Sequence, residues 1–340
     1  MADTRLKVGI AGAGLMGHWH AKFLQNSNAD LVAVFDKNPE KSRKLCAGFK
    51  NAPSMVVSME DMQARFEPDV VHICTPLESH FDIAMQALQS GSHVVVEKPL
   101  TSTAPETRQL IELANQRGLT ICPVHQMAFQ RGVQHTQSAL SGLGDILEMR
   151  FTSCSAGGTG VEGDGLNAIV QEIVSHPLSI MQALKPDISL NSDSWQGINP
   201  RPGDLQLIGI ADGIAVDISI SMNARPTRCE MELFCSEGRV YLNLFHGYCV
   251  VEKGKVSRLQ KLLQPFKYSA KEFLLAGNNA VRRAMGGELA YPGLNRFLDE
   301  FYRSLGSSAA SPVSPDHALE VAIARDELSK WFLPDRTTDD

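Results

Sequence analysis

The stretch Leu6-Lys7-Val8-Gly9-Ile10-Ala11-Gly12-Ala13-Gly14-Leu15-Met16-Gly17 decides how the first half of this chain is read. A short apolar run, as a buried strand needs, ends in G-x-G-x-x-G, and helix-compatible residues follow over 15–25. The next apolar run, 30–35 (DLVAVF), ends at Asp36, 19 residues after Gly17. Strand, glycine turn, helix and a delayed carboxylate together form a dinucleotide fingerprint. Gly12 permits the tight turn, Gly14 lets the backbone approach a pyrophosphate, and Gly17 allows the helix to pack closely on the strand. Leu15 and Met16 open the helix, whose N-terminal N–H groups face the phosphate charge. Asp36 is placed to accept from adenosine ribose hydroxyls and to repel a 2′-phosphate, which predicts NAD; Lys37 and Asn38, next in the chain, leave NADP open.

The same alternation continues outward. Apolar runs at 70–74, 93–96 and 120–124 are separated by helical stretches near 79–90 and 103–117, the latter opened by a capping box of Thr103 and Glu106. Continuous apolar strands alternating with helices predict a parallel sheet covered on both faces. Near residue 144 the pattern changes. Residues 146–154, 205–221, 229–236 and 240–251 follow one another as strands, with period-two alternation in DISIS and RCEMELF and with Gly213, Gly238 and Gly247 at turns. These predict a large, mainly antiparallel open sheet. A helical stretch at 166–184 precedes it. A mixed helical region over 258–305, a serine-rich loop at 304–314 and a last helix over 316–332 follow. The expected architecture is α/β, a Rossmann dinucleotide-binding domain at 1–125 with an α+β substrate-binding and oligomerisation domain at 126–340, the last helix being free to pack back on the first.

Composition narrows the function. The chain has 340 residues, 43% hydrophobic and 21% charged, and a net charge of −6. It offers no basic footprint for nucleic acid or an anionic membrane, and no apolar run approaches the ~18 residues of a membrane span. Residues 1–6 lack an apolar signal core, and seven cysteines without a C-x-x-C pair predict reduced thiols, no structural zinc and a cytoplasmic location. No His, Asp or Glu set has metal-ligand spacing, so no metal is expected.

Glu97-Lys98-Pro99 ends the run HVVV, after Cys74-Thr75-Pro76 and His80. This E-K-P, following C-T-P-x-x-x-H and the glycine fingerprint, resembles the glucose–fructose oxidoreductase/inositol dehydrogenase/MocA (Gfo/Idh/MocA) family. The resemblance extends over nearly the whole chain. It implies NAD(P)-dependent interconversion of a secondary alcohol and a ketone on a sugar, sugar derivative or cyclitol. It implies Lys98 as a catalytic residue that also meets cofactor and substrate, often beside a cis Lys98–Pro99 peptide. Thr75, Pro76, His80 and Glu97 would lie on the cofactor side, and His125 and Gln126 would line the substrate. The family's second signature, Asp-x-Gly-x-His, is matched by Glu172-Ile173-Val174-Ser175-His176, with Glu for Asp and Val for Gly. Glu172 and His176 are then i, i+4 on a helix, opposite an apolar stripe of Leu166, Ile169, Val170, Ile173 and Val174, and Pro177 predicts a kink at His176. An imidazole there can take a hydroxyl proton near neutral pH. The glycine-rich segment 157–165 reads as a substrate loop or lid. His18 and His20 read as packing or surface residues. The family also holds redox-neutral, NAD-retaining glycosidases and non-catalytic NAD-sensing regulators, which remain as alternatives. The alternating faces of DISIS and MELF include more apolar positions than one helix layer can cover, which predicts a homodimer or homotetramer joined through the C-terminal sheet.

Overall fold

A computed structural model describes residues 5–191, 194–254, 258–288, 290–305 and 309–333. Residues 1–4 of the N-terminal stretch and 306–308 of the serine-rich loop lie outside them. The chain forms two compact units: Met1–His125 with Phe297–Ala322, and Gln126–Arg296 with Ile323–Asp340.

The first unit alternates β1 (Leu6–Ala11), α1 (Leu15–Leu24), β2 (Ala29–Phe35), α2 (Pro39–Ala47), β3 (Ser54–Val56), α3 (Met59–Phe66), β4 (Val70–Ile73), α4 (His80–Gln89), β5 (His93–Val96), α5 (Ala104–Arg117) and β6 (Ile121–Pro123). The six strands are all parallel in the order β3-β2-β1-β4-β5-β6, the doubly wound order of a Rossmann sheet. Val8, Ile10, Val70, Val71, Ile73, Val94, Val95 and Val96 are fully buried, as strands covered on both faces require. β3, three residues long, lacks the apolar run that would mark it in the sequence. The capping box forms: the Thr103 hydroxyl accepts from the Glu106 N–H, and the Glu106 carboxylate accepts from the Thr103 N–H at 3.0 Å.

The second unit holds α6 (Arg131–Leu140), β7 (Ile146–Cys154), α7 (Asp164–Leu184), β8 (Gln196–Ile198), β9 (Asp204–Ala211), β10 (Ile214–Ser221), β11 (Arg228–Cys235), β12 (Gly238–Asn243), β13 (Tyr248–Lys253) and α8 (Arg258–Met285). Its sheet runs β13-β12-β11-β7-β10-β9-β8, antiparallel except at β7 and β10. α9 (Leu294–Leu305) and α10 (Pro315–Ser329) complete the chain. From Phe297 to Ala322 they belong to the first unit, which is therefore built from two separated segments.

α7 runs on through His176 and Pro177 to Leu184. An internal proline costs about 3 kcal/mol, and the uninterrupted burial of Val174 to Gln182 offsets it. In the sheet, Ile218, Ile220, Met231 and Leu233 are all buried, whereas the alternate positions Asp217, Ser219, Glu230 and Glu232 are polar, with Glu230 paired to Arg228 and Glu232 to Arg239. The same outward face also carries Ile198, Ile208 and Ile210, each more than half exposed. Further exposed apolar surface lies on α8. That helix meets the sheet with polar side chains: Tyr248 Oη donates to Glu272 at 3.1 Å, Gln264 donates to Glu252 at 3.2 Å, and Arg239 stacks over Tyr268. Its opposite side carries Leu262, Phe266, Phe273, Leu274 and Met285, each about two-thirds exposed or more.

Candidate active site

The glycine turn is built as its spacing predicts. Gly12 has φ +97°, and a Cβ there would sit 2.5 Å from the Cys74 carbonyl. A Cβ on Gly17 would sit 2.0 Å from the Gly12 carbonyl oxygen, so α1 can lie this close to β1 only with hydrogen at that place. A Cβ on Gly14 would meet nothing within 4 Å; its backbone borders open space. That space is a cavity of about 780 Å³ lined by Gly12, Gly14, Leu15, Met16, Asp36, Thr75 and Pro76, with Lys37, Asn38 and Lys41 at the Asp36 end. Asp36 Oδ2 accepts from the Ala13 N–H at 2.7 Å and Oδ1 from the Asn38 N–H at 2.8 Å, which fixes the carboxylate beside the turn and keeps further lone pairs for hydroxyl donors. The Thr75 hydroxyl is buried without a protein partner on the same cavity. A pyrophosphate on the open Gly14 backbone and a ribose at Asp36 suit this cradle.

The other cofactor-side residues stand behind that wall. His80 is buried and does not line the cavity; its Nδ1 faces the Pro99 carbonyl at 2.9 Å and its Nε2 the Thr75 carbonyl at 2.8 Å. His80 thus ties the Thr75-Pro76 turn to the segment after Lys98. Lys98 itself is half-buried at the end of β5, and the Lys98–Pro99 peptide is cis. Glu97 is buried and accepts from His20 Nε2 at 3.0 Å.

His125, at the close of the first unit, is 5% exposed. Burial first, then the charges of Lys98 and His317, lower its pKa to about 4. It is therefore a neutral imidazole at physiological pH, with one N–H to donate and one nitrogen to accept. This has a stability consequence. The unfolded chain protonates its histidine below pH 6.5 while the folded one does so only near pH 4, so stability is complete above 6.5 and falls through that window by about 3 kcal/mol. Urea unfolding compared at about pH 7 and about pH 4.5 checks it; His125→Gln should flatten the dependence, and an unchanged slope in that variant would assign the acid lability to other groups.

In the second unit, His176 is buried on α7, and Glu172 lies one turn earlier, half-buried. The Ser179 hydroxyl donates to the His176 carbonyl at 2.9 Å. α7 packs against the turn Gln126–Phe129. The Gln126 side-chain oxygen and the Ser175 hydroxyl are both buried without protein partners, polar atoms that a hydroxylated ligand would satisfy. The glycine-rich segment 157–165 is turns and loop up to Gly163 and then enters α7; apart from the buried Gly158 its residues are exposed, with positive φ at Gly160 and Gly163. Among the described residues no group of three His, Cys, Asp or Glu side chains could hold a metal ion, and no helix is long and apolar enough to cross a membrane.

A family model described as "Oxidoreductase family, NAD-binding Rossmann fold" (GFO_IDH_MocA) matches residues 6–125. The match is confined to this stretch, about a third of the chain, which is similar to the Rossmann domain of the Gfo/Idh/MocA oxidoreductases. The matched stretch coincides with the first-unit segment that carries the glycine turn, Asp36, Lys98 and His125, so the cavity lies within an NAD-binding Rossmann fold. UDP-N-acetylglucosamine 3-dehydrogenase of Acidithiobacillus ferrooxidans is 29% identical over 148 residues, 42% of this chain and 44% of that protein. D-glucoside 3-dehydrogenase of Escherichia coli is 29% identical over 150 residues, 43% of this chain and 42% of that protein. The matches thus span less than half the length of these curated relatives. The fold likeness reaches further: the WlbA dehydrogenase of Bordetella pertussis, solved with NADH and UDP-GlcNAcA, superposes with TM-score 0.75 over 97% of both chains at 15% identity.

Three residues of the first unit escape sequence reading. His20 and His72 are fully buried and bonded to each other, and Tyr302 reaches His72 from α9. A histidine inside the buried strand VVHI was the available signal for His72; nothing local marks Tyr302.

Proposed function

We propose that this chain is a member of the Gfo/Idh/MocA family and an NAD-dependent oxidoreductase that interconverts a secondary alcohol and a ketone on a sugar, sugar derivative or cyclitol. The observation that carries the reading is a half-buried lysine at the end of β5, next to an NAD cradle, with a histidine kept neutral beside it. NAD, when bound, supplies the two-electron acceptor for the alcohol carbon. Lys98 donates a hydrogen bond from its ammonium to the reacting oxygen and stabilises the negative charge that grows there. His176 takes the hydroxyl proton in oxidation and returns it in reduction, and Glu172, one turn away, orients it. His125 and Gln126 hold further hydroxyls, each able to donate and to accept. The two curated relatives, both named as 3-dehydrogenases of glucose derivatives, favour a pyranose substrate.

Asp36 sets the cofactor preference. The free enzyme should bind NAD(H) more tightly than NADP(H), and Asp36→Ala should weaken NAD about 10- to 100-fold through loss of a charge-assisted hydrogen bond. Fluorescence titration with NADH and NADPH reads this; tighter NADPH binding by the wild type refutes the assignment. For the reaction, NAD is offered with UDP-N-acetylglucosamine, methyl glucosides and myo-inositol. Accumulating NADH with one of them supports net oxidation, whereas a cleaved glycoside without NADH identifies the redox-neutral class, and tight NAD binding without product identifies a sensor.

The assembly we propose is a cytoplasmic homodimer or homotetramer joined on the side of the second unit's sheet, with α8 supplying the apolar contact. At roughly 100 Å² or more per large side chain, the outward residues of α8 approach the ~800 Å² per partner of a standard interface. A second copy is the occupant because the stripe can pair with itself about a two-fold axis. Light scattering should give two or four chains, and Phe266→Glu with Phe273→Glu should reduce that to one; a wild-type monomer rules the assembly out.

A further inference from the structure

Four side chains from four separate parts of the first unit form one unbroken hydrogen-bonded line. Tyr302 Oη on α9 lies 2.8 Å from His72 Nε2 on β4; His72 Nδ1 lies 2.8 Å from His20 Nδ1 on α1; His20 Nε2 lies 3.0 Å from Glu97 Oε1 at the end of β5. Both imidazoles are fully buried and meet edge to face, and Glu97 is 7% exposed. The two imidazoles are closed to water, so each of their contacts must contain one donor and one acceptor.

Only certain proton placements achieve this. A carboxylate at Glu97 only accepts, so His20 carries its proton on Nε2, which makes His20 Nδ1 an acceptor. His72 must then donate from Nδ1, which makes its Nε2 an acceptor, and Tyr302 donates its O–H to it. The opposite orientation with the same number of protons needs a buried tyrosinate at Tyr302 and a neutral Glu97. Burial opposes the tyrosinate by raising the Tyr302 pKa well above its ordinary value, and burial with the nearby His20 holds the His72 pKa well below its own. The groups facing the line are few: Cys74, at the end of β4, feels the charge of Glu97, and Phe23 and Phe301 pack on the Tyr302 ring.

We propose that Tyr302, His72 and His20 are positioning residues: a one-way line of donors, Tyr302 to His72 to His20 to Glu97, that anchors the carboxylate preceding Lys98 and so fixes where the lysine stands. This rests on the reading of Lys98 as the residue that meets the reacting oxygen. It adds that α9, from the far end of the chain, helps set that residue's place.

The proton pattern is measurable without any substrate. In ¹⁵N-histidine-labelled wild-type protein at about pH 8, assigned with His20→Gln and His72→Gln, His72 should show the Nδ1–H tautomer and His20 the Nε2–H tautomer. An imidazolium signal from either ring at that pH, or the reverse tautomers, overturns the line. Tyr302→Phe keeps the ring and its packing but removes the donor; it should mix the His72 tautomers and lower kcat about tenfold, with the NADH dissociation constant unchanged. The assay uses NAD with the sugar of the panel above that the wild type oxidises. Wild-type kcat in Tyr302→Phe overturns the positioning role even if the tautomers stand. Lys98→Ala with wild-type turnover would instead remove the reading of Lys98 and leave the wild-type tautomers as they are, so the two failures are distinguishable.

Discussion

Lys98→Ala is expected to slow NADH formation by about 10³-fold or more, because a donor aimed at developing oxyanion charge acts in the transition state and hardly at all in the bound ground state. The dissociation constant for NAD should stay within about twofold, since Lys98 is not among the residues lining the dinucleotide cavity. Lys98→Arg tests the geometry as well as the charge: it retains the cation but replaces a compact ammonium by a planar fork, and should recover little. Single-turnover rates near wild type for the alanine variant would move the stabilising group elsewhere.

His176→Ala should cost about 10²- to 10⁴-fold in the same assay, the range that general acid–base catalysis supplies. It should also erase a limb of the pH–rate profile near neutrality, and an alanine variant that retains the limb would assign the proton transfer to another group. Glu172→Gln separates the partner from the base. If Glu172 orients His176, the glutamine variant loses rate without losing substrate affinity; an unaffected rate makes Glu172 a structural residue of α7.

The local parts of this arrangement are legible because their causes are local. The glycine turn needs φ beyond the reach of L side chains at Gly12 and hydrogen at Gly17, and both demands are visible as a spacing. The parallel strands announce themselves as apolar runs, and Thr103 with Glu106 announces the start of α5. Short elements give no such signal: β3 and β8 are three residues each and depend on their neighbours for pairing. Pro177 stands inside α7 without ending it, in a segment whose burial is continuous from Val174 to Gln182. Period-two alternation correctly places DISIS and MELF as strands, yet it does not say which face is covered, and the uncovered face mixes polar residues with the exposed Ile208 and Ile210. α8 is legible as a helix in the same limited sense; that its polar side faces the sheet follows from Tyr248, Glu252 and Arg239 on strands more distant in sequence.

The candidate site divides along the same line. Asp36, Lys98 and His125 sit beside motifs whose spacing names them. His20 looked like a packing residue of the first helix, and its role emerges only when α1, β4, β5 and α9 are brought together. Tyr302 is 230 residues from the histidine it meets. His317, whose charge helps keep His125 neutral, is likewise remote in sequence.

The central claim is that an alcohol carbon of a sugar gives up its hydrogen to NAD on this protein. The most direct measurement offers the wild-type enzyme NAD together with ring-deuterated UDP-N-acetylglucosamine and methyl glucoside, then weighs the recovered dinucleotide by mass spectrometry. NADH carrying a single deuterium, absent when Lys98→Ala replaces the wild type, is the predicted result. NADH that forms without deuterium, or NAD recovered unchanged while bound stoichiometrically, would contradict the account.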